Sequence, residues 1–235
     1  MAIETSGLRT APRHTQGGID VPDVPRLQEC LTDQRQVSPV VRPRHGEEVM
    51  EAHTILWRRH DIPGHEACRL VSLGAGWQLA GVVVLAYEGQ ACRLDYMITC
   101  DAQWLTHSAT VTGWVGERTI DVQVGRDAAG RWQLNGRAGD ELTGCHDIDL
   151  NFSPATNLLP IRRLGLAVGD SAQVRAAWLQ FPSCALEPLD QTYTCVEPRL
   201  YRYESGAGRF VASVRVDEVG FVIEYGDIWS REVAT

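Results

Sequence analysis

From His53 onward the apolar positions recur every second residue rather than every three or four. Ile120, Val122 and Val124 alternate with Thr119, Asp121 and Gln123. Cys92, Leu94, Tyr96 and Ile98 alternate with Arg93, Asp95 and Met97, and Phe210, Ala212, Val214 and Val216 with Val211, Ser213, Arg215 and Asp217. A period of two marks half-buried antiparallel strands. Turn signals fall between the runs: YEGQ at 87–90, GRDAAG at 125–130, ESGAG at 204–208, and DEVG ahead of Phe221, Ile223 and Tyr225. Each supplies a glycine for a hairpin loop. Strands at this spacing predict an all-β sandwich, roll or partly open barrel.

No window of a dozen residues carries an amphipathic helix. The best helical candidate is one turn at Ser153–Leu158, with Ser153 as N-cap and Pro154 at the first helical position. Pro160 restricts Leu159 and is expected to stop the helix there.

Residues 1 to about 48 break the pattern. They hold Pro12, Pro22, Pro25, Pro39 and Pro43 and no Phe, Tyr or Trp. Such a segment buries too little apolar surface to offset its ordering entropy, so a disordered extension is expected, followed by a single domain over 49–235.

Composition narrows the function classes. The chain has 235 residues, 44% hydrophobic, with a formal charge of -8. The acidic balance argues against a nonspecific nucleic-acid binder and against simple attraction to anionic membranes. Every basic residue is Arg, which removes Schiff-base lysine chemistry and the P-loop. The longest apolar run, Leu79–Tyr87, is too short to span a bilayer, and the N-terminus lacks the features of a secretory signal, so a cytoplasmic protein is expected. Seven scattered cysteines without a CxxC read as buried, reduced thiols.

The densest chemistry lies in GCHDIDLNFSPATNLLPIRRL, residues 144–164. If Cys145–Leu150 is extended, Cys145, Asp147 and Asp149 share one face and His146, Ile148 and Leu150 the other. The aspartates are then about 6.6 Å apart along the strand and need water, a cation or arginine partners, which Arg162 and Arg163 could supply. Three readings stay open: a structural ion-pair knot with Asn157, a clamp for a sugar or phosphate head group, and a metal site of His146, Asp147 and Asp149. Alternation weakens the last by turning His146 away. RRHDIPGHE, residues 58–66, offers His60, Asp61, His65 and Glu66, but Pro63-Gly64 breaks any helix between them, so a solvated hairpin loop is expected. There is no G-x-S-x-G elbow and no G-x-G-x-x-G fingerprint. No metal and no cofactor are assigned.

The segments GRWQLNG, LTGCHDIDLNFSPATNLLPIRRL, AAWLQFPSCALEPLDQTYT and YRYESGAGRFVASVRVDEVGFVIEYGDIWSR resemble, in this order, the motifs of a bacterial family of unknown function labelled glycolipid-binding. The resemblance covers roughly residues 50–232. It implies a highly curved antiparallel sheet, a spiral β-roll or half-open barrel with few short helices, like carriers that hold acyl chains. Carried over by motif are Cys145, Asp147, Asp149, Ser153, Pro154, Asn157, Pro160, Arg162, Arg163, Gln191, Tyr193, Tyr201 and Tyr203. Ala155 stands where the family often has an aromatic residue, and Gly226 where it often has Pro.

The expected function is non-enzymatic binding of a glycolipid or similar amphiphile on the concave face, with the polar head taken by Asp147, Asp149, Asn157, Arg162 and Arg163 and by Gln191, Tyr193, Tyr201 and Tyr203. One alternative is an enzyme of glycolipid or sugar-ester metabolism using Asp147 or Asp149 as base or metal ligand. The other is a structural or partner-binding scaffold.

Overall fold

The computed structural model describes residues 52–234. The extension expected over residues 1–48 lies outside them. The alternating runs become β1 (Ala52–Arg59), β2 (Gly64–Ser72), β3 (Gly76–Tyr87), β4 (Gln90–Asp101), β5 (Thr106–Val115), β6 (Arg118–Arg126), β7 (Trp132–Leu134) and β8 (Arg137–Gly139). After a 3₁₀ turn at Asp140–Leu142 come β9 (Asp147–Leu150), a second 3₁₀ turn at Ala155–Asn157 and helix α1 (Leu158–Leu164). The chain then forms β10 (Ser171–Leu179), β11 (Leu186–Glu197), β12 (Leu200–Ser205), β13 (Phe210–Val216), β14 (Val222–Tyr225) and β15 (Trp229–Ala234).

All fifteen strands belong to one sheet, ordered β8-β7-β6-β5-β4-β3-β2-β1-β15-β14-β13-β12-β11-β10-β9. The first eight are laid down as successive antiparallel hairpins. The chain then jumps to the opposite edge at β9, which pairs parallel with β10. A second meander returns to β15, which pairs antiparallel with β1 through a bulge at Leu56/Trp57. The sheet is curved and unclosed, as the resemblance implies; the alternation alone left a sandwich, a roll and a partly open barrel as alternatives.

Strand β9 carries core on one face and the buried Asp147 on the other. Ile148 and Leu150 join the larger cluster with Leu79, Val83, Leu94, Ile98, Val111 and Trp132. The opposite side of β10 and β11 meets the smaller cluster of Ile161, Val174, Tyr193, Tyr203, Val214, Val216 and Val222. The free edge of β9 is therefore rolled inside. It is tied to the start of β5 by Thr106 N–H to His146 O (3.2 Å) and Ile148 N–H to Thr106 Oγ1 (3.0 Å). An inner edge satisfied in this way presents no row of open backbone groups to another chain. Full burial of each large aliphatic side chain here contributes about 1.5–3 kcal/mol.

The helix corrects one expectation. It does not stop at Pro160 but runs to Leu164 and ends at Gly165, in the left-handed conformation (φ 54°), whose N–H reaches Ile161 O. Pro160 is the third residue of α1. A first-turn proline forfeits little, because the first N–H groups of a helix lack intrahelical acceptors. Ser153 does act at the preceding turn, its Oγ accepting the Ala155 N–H at 3.1 Å.

Candidate functional site

Strand β9 delivers its two aspartates to one side, as the alternation requires, but to different surroundings. Asp147 is 2% exposed by side chain and is gripped by Arg163, whose Nε donates to Oδ1 at 3.2 Å and whose second guanidinium nitrogen donates to Oδ2. Burial pushes the Asp147 carboxyl up while Arg163 opposes it. Asp149 has no arginine. Its Oδ2 accepts from Gln191 Nε2 at 2.6 Å. Its accessible surface is intermediate, yet its carboxyl is enclosed closely enough that burial pushes it up to about 6.

The remaining candidates divide likewise. Asn157 donates from Nδ2 to Pro154 O and accepts at Oδ1 from Tyr193 OH at 2.9 Å. Tyr203 lies among Gln191, Ser205 and Tyr225. Tyr201 is buried in the smaller cluster. Arg162 does not turn back to an aspartate. Its guanidinium sits 5.1 Å over the Trp104 ring, which stacks on Trp77 at 4.7 Å and 14°. Adjacent residues of a helix point about 100° apart, so Arg162 and Arg163 cannot serve one clamp.

A cavity of about 450 Å³ opens where β1 and the strands β9 to β15 converge. Asp149, Asn151, Ser153 and Asn157 give it polar groups from the β9–α1 segment. Trp178, Tyr203, Phe210, Tyr225 and Trp229 give it aromatic walls. Arg59, Asp61 and Arg209 stand in its lining as the charged side chains besides Asp149. Of the nine candidate residues, Asp149, Asn157 and Tyr203 reach this cavity. Gln191 and Tyr193 lie one hydrogen bond behind it. Asp147, Arg162, Arg163 and Tyr201 are elsewhere. Arg163 instead borders a polar groove of about 600 Å³ with His146, Gln173, Arg175, Asp190 and Thr192, where Arg175 and Asp190 already pair at 2.8 Å.

Two features escape the sequence reading. Arg59 and Arg209 are the cavity's arginines rather than Arg162 and Arg163. Arg59 holds Asp61 through Nε (2.7 Å) and its terminal nitrogen (2.9 Å), and its guanidinium lies 5.3 Å over the Trp229 ring. The second is Glu66, expected in a solvated loop. The 60–63 turn does connect β1 to β2, but Glu66 is on the inward face of β2 with Cys68 and Leu70 and is fully buried. Its Oε1 accepts from Tyr96 OH (2.5 Å) and Ser153 Oγ (2.6 Å), and its Oε2 has no partner. Burial pushes the Glu66 carboxyl up to about 8, so it is a neutral acid at neutral pH. The signal was the alternation Glu66-Cys68-Leu70, which continues an apolar face.

His146 is exposed while both aspartates turn inward, and among the described residues no three His, Cys, Asp or Glu side chains gather around a common point. No helix among the described residues is long and apolar enough to cross a membrane.

Comparison with known proteins gives two matches. A family model described as "Putative glycolipid-binding" matches residues 54–231. A crystal structure of a DUF1089 family protein from Pseudomonas aeruginosa is similar at 34% identity and a TM-score of 0.65, over 72% of this chain and 91% of that one. None of the curated proteins compared with the chain matches it.

Proposed function

The chain belongs to the family described as "Putative glycolipid-binding", and from that premise we propose that it holds the head group of a glycolipid or similar amphiphile in the cavity beside Asp149, as a binder rather than an enzyme. The observation that carries this reading is the make-up of that cavity: the polar groups of the β9–α1 segment at one side, the charged Arg59, Asp61 and Arg209 elsewhere in the lining, five aromatic side chains among them, and a volume of about 450 Å³. Ligand sites are typically clefts of this size, mostly apolar, with a small number of placed polar groups. Aromatic faces suit sugar rings, whose axial C–H groups are apolar while their hydroxyls need polar partners.

The interior of the smaller cluster is filled by Tyr193, Tyr203, Val214 and Val216, so the head group, not the whole lipid, is what the cavity accommodates. The acyl part leaves over Phe210 and Val211, which are 39% and 48% exposed. Catalysis has weaker support. A carboxylate pair must face one substrate, and Asp147 is locked to Arg163 outside the cavity. Ser153 has a carboxyl partner, but Glu66 keeps its proton at neutral pH and is no base there.

Protein purified without detergent and extracted with organic solvent should yield a glycolipid by mass spectrometry, and Trp178→Ala should lose most of it while retaining the fold. Native protein that carries no lipid above background, and takes up none from a glycolipid dispersion, overturns the reading.

A further inference from the structure

Resting on the reading that this cavity holds a head group, we infer that the head group carries a protonated amine: the site is built to take an ammonium beside Asp149. The first observation is a missing partner. The cavity contains two carboxylates. Asp61 is neutralised by Arg59 through two hydrogen bonds, whereas Asp149 receives only the neutral Gln191 amide. The groups facing Asp149 from the surrounding elements are Asp147 on its own strand, already held by Arg163, Gln191 on β11, Tyr203 on β12 and Tyr225 on β14. No cation is among them. An enclosed carboxylate without a cation is costly unless a ligand supplies one.

The second observation is the aromatic wall. Tyr203, Phe210 and Tyr225 contact each other pairwise edge-to-face, at 6.0, 5.9 and 6.2 Å, and all three border the same cavity as Asp149. Ring faces attract ammonium and guanidinium groups, more strongly when water is excluded. The protein already uses that attraction once in this cavity, with the Arg59 guanidinium over Trp229. Rings plus an uncompensated carboxylate form a cation receptor, and a neutral sugar would leave its charge component unmet. Arg209 is the counter-indication. It is exposed, with Nε donating to Gly206 O, and it would favour an anionic substituent at the rim.

Calorimetric titration with octyl glucoside, octyl glucosaminide, octyl glucuronide and decylphosphocholine at about pH 7.5 tests the inference. The glucosaminide should bind about ten-fold more tightly than the glucoside, a difference of about 1.4 kcal/mol. Decylphosphocholine binding more tightly than the glucosaminide, with that advantage lost in Asp149→Asn, assigns the charge to a lipid ammonium rather than an amino sugar; an advantage that survives the substitution belongs to its phosphate and overturns the inference. Asp149→Asn should abolish the preference of the glucosaminide over the glucoside, whatever it does to the affinity for either alone. If that variant does not fold, the wild type titrated near pH 5, where Asp149 is protonated, should show the same loss. Equal affinity for glucoside and glucosaminide overturns the inference and leaves the head-group reading standing. Tightest binding of the glucuronide overturns it in favour of Arg209. Failure of every probe to bind sinks both readings together.

Discussion

Ser153 and Glu66, 87 residues apart in sequence, meet through a 2.6 Å hydrogen bond in which the serine hydroxyl donates to a fully buried carboxyl oxygen. Ser153 starts the turn that leads into α1, and Glu66 sits on β2. The contact therefore fastens the crossover between β9 and β10 to the first meander of the sheet. It also places a proton-holding group directly behind the cavity wall.

That proton gives a first prediction. Glu66 is raised from 4.5 to about 8 in the folded chain. Between these values the native state holds a proton that the unfolded state has released. Its stabilising contribution is complete below about pH 4.5, declines as pH rises, and is gone above about 8, with a slope of up to about 1.4 kcal/mol per pH unit. Glu66→Gln should flatten this part of the curve and raise stability relative to wild type near pH 9. Urea midpoints measured from about pH 5 to 9 check it, and an unchanged slope in the variant would sink it.

The tyrosine that shares Glu66 gives the second. Tyr96 lies across Gly81, where an added Cβ would come within 2.4 Å of the phenol oxygen. Gly81→Ala must push Tyr96 off its bond to Glu66, at a cost of about 1–3 kcal/mol. Gly125, with nothing within 4 Å of its would-be Cβ, is the control, and Gly125→Ala should stay within roughly 0.5 kcal/mol of wild type. Thermal melts of the two variants decide; equal losses would contradict the Tyr96 clash.

Arg163 gives the third. Its partner Asp147 is buried, so Arg163→Ala leaves an uncompensated carboxylate and should cost about 3–5 kcal/mol. Because Arg163 lies outside the cavity, the fraction that folds should bind amphiphile with wild-type affinity. Denaturation combined with probe binding separates the two effects. A stable variant with weakened binding would return Arg163 to the clamp.

Arg162, one residue earlier, should behave differently. It contributes a cation over Trp104, worth about 0.5–2 kcal/mol, and no buried ion pair. Arg162→Ala should therefore be the milder of the two substitutions in a side-by-side melt, and a larger loss than for Arg163→Ala would overturn this assignment.

The contrast between these neighbours shows where sequence ceases to inform. The strands were legible because alternation and turn residues are local: the 87–90, 125–130 and 204–208 turns all join the strands they were expected to join. The face sharing of Asp147 with Asp149 was legible for the same reason. What was not legible depends on long-range placement. Glu66 resembled a loop acid because Pro63-Gly64 precedes it, yet its burial is decided by Tyr96 and Ser153. Arg162 and Arg163 appeared equivalent until α1 ran on past Pro160 and turned them apart. Arg59 and Arg209 carry no local mark at all; they reach the cavity only because β1 and the β12–β13 hairpin end beside β9.

The position of β15 between β14 and β1 has a consequence for synthesis. Strands β1 to β8 can zip together behind the ribosome, each hairpin closing soon after it emerges, and β9 to β15 can do the same in turn. Among the described residues the only ladder between these two meanders is β1 with β15. During translation, then, one side of β1 waits until β15 has emerged. A nascent chain clipped before Trp229 would be left with two half-sheets and two unsatisfied edges, β1 and β14, each able to recruit a strand from another molecule.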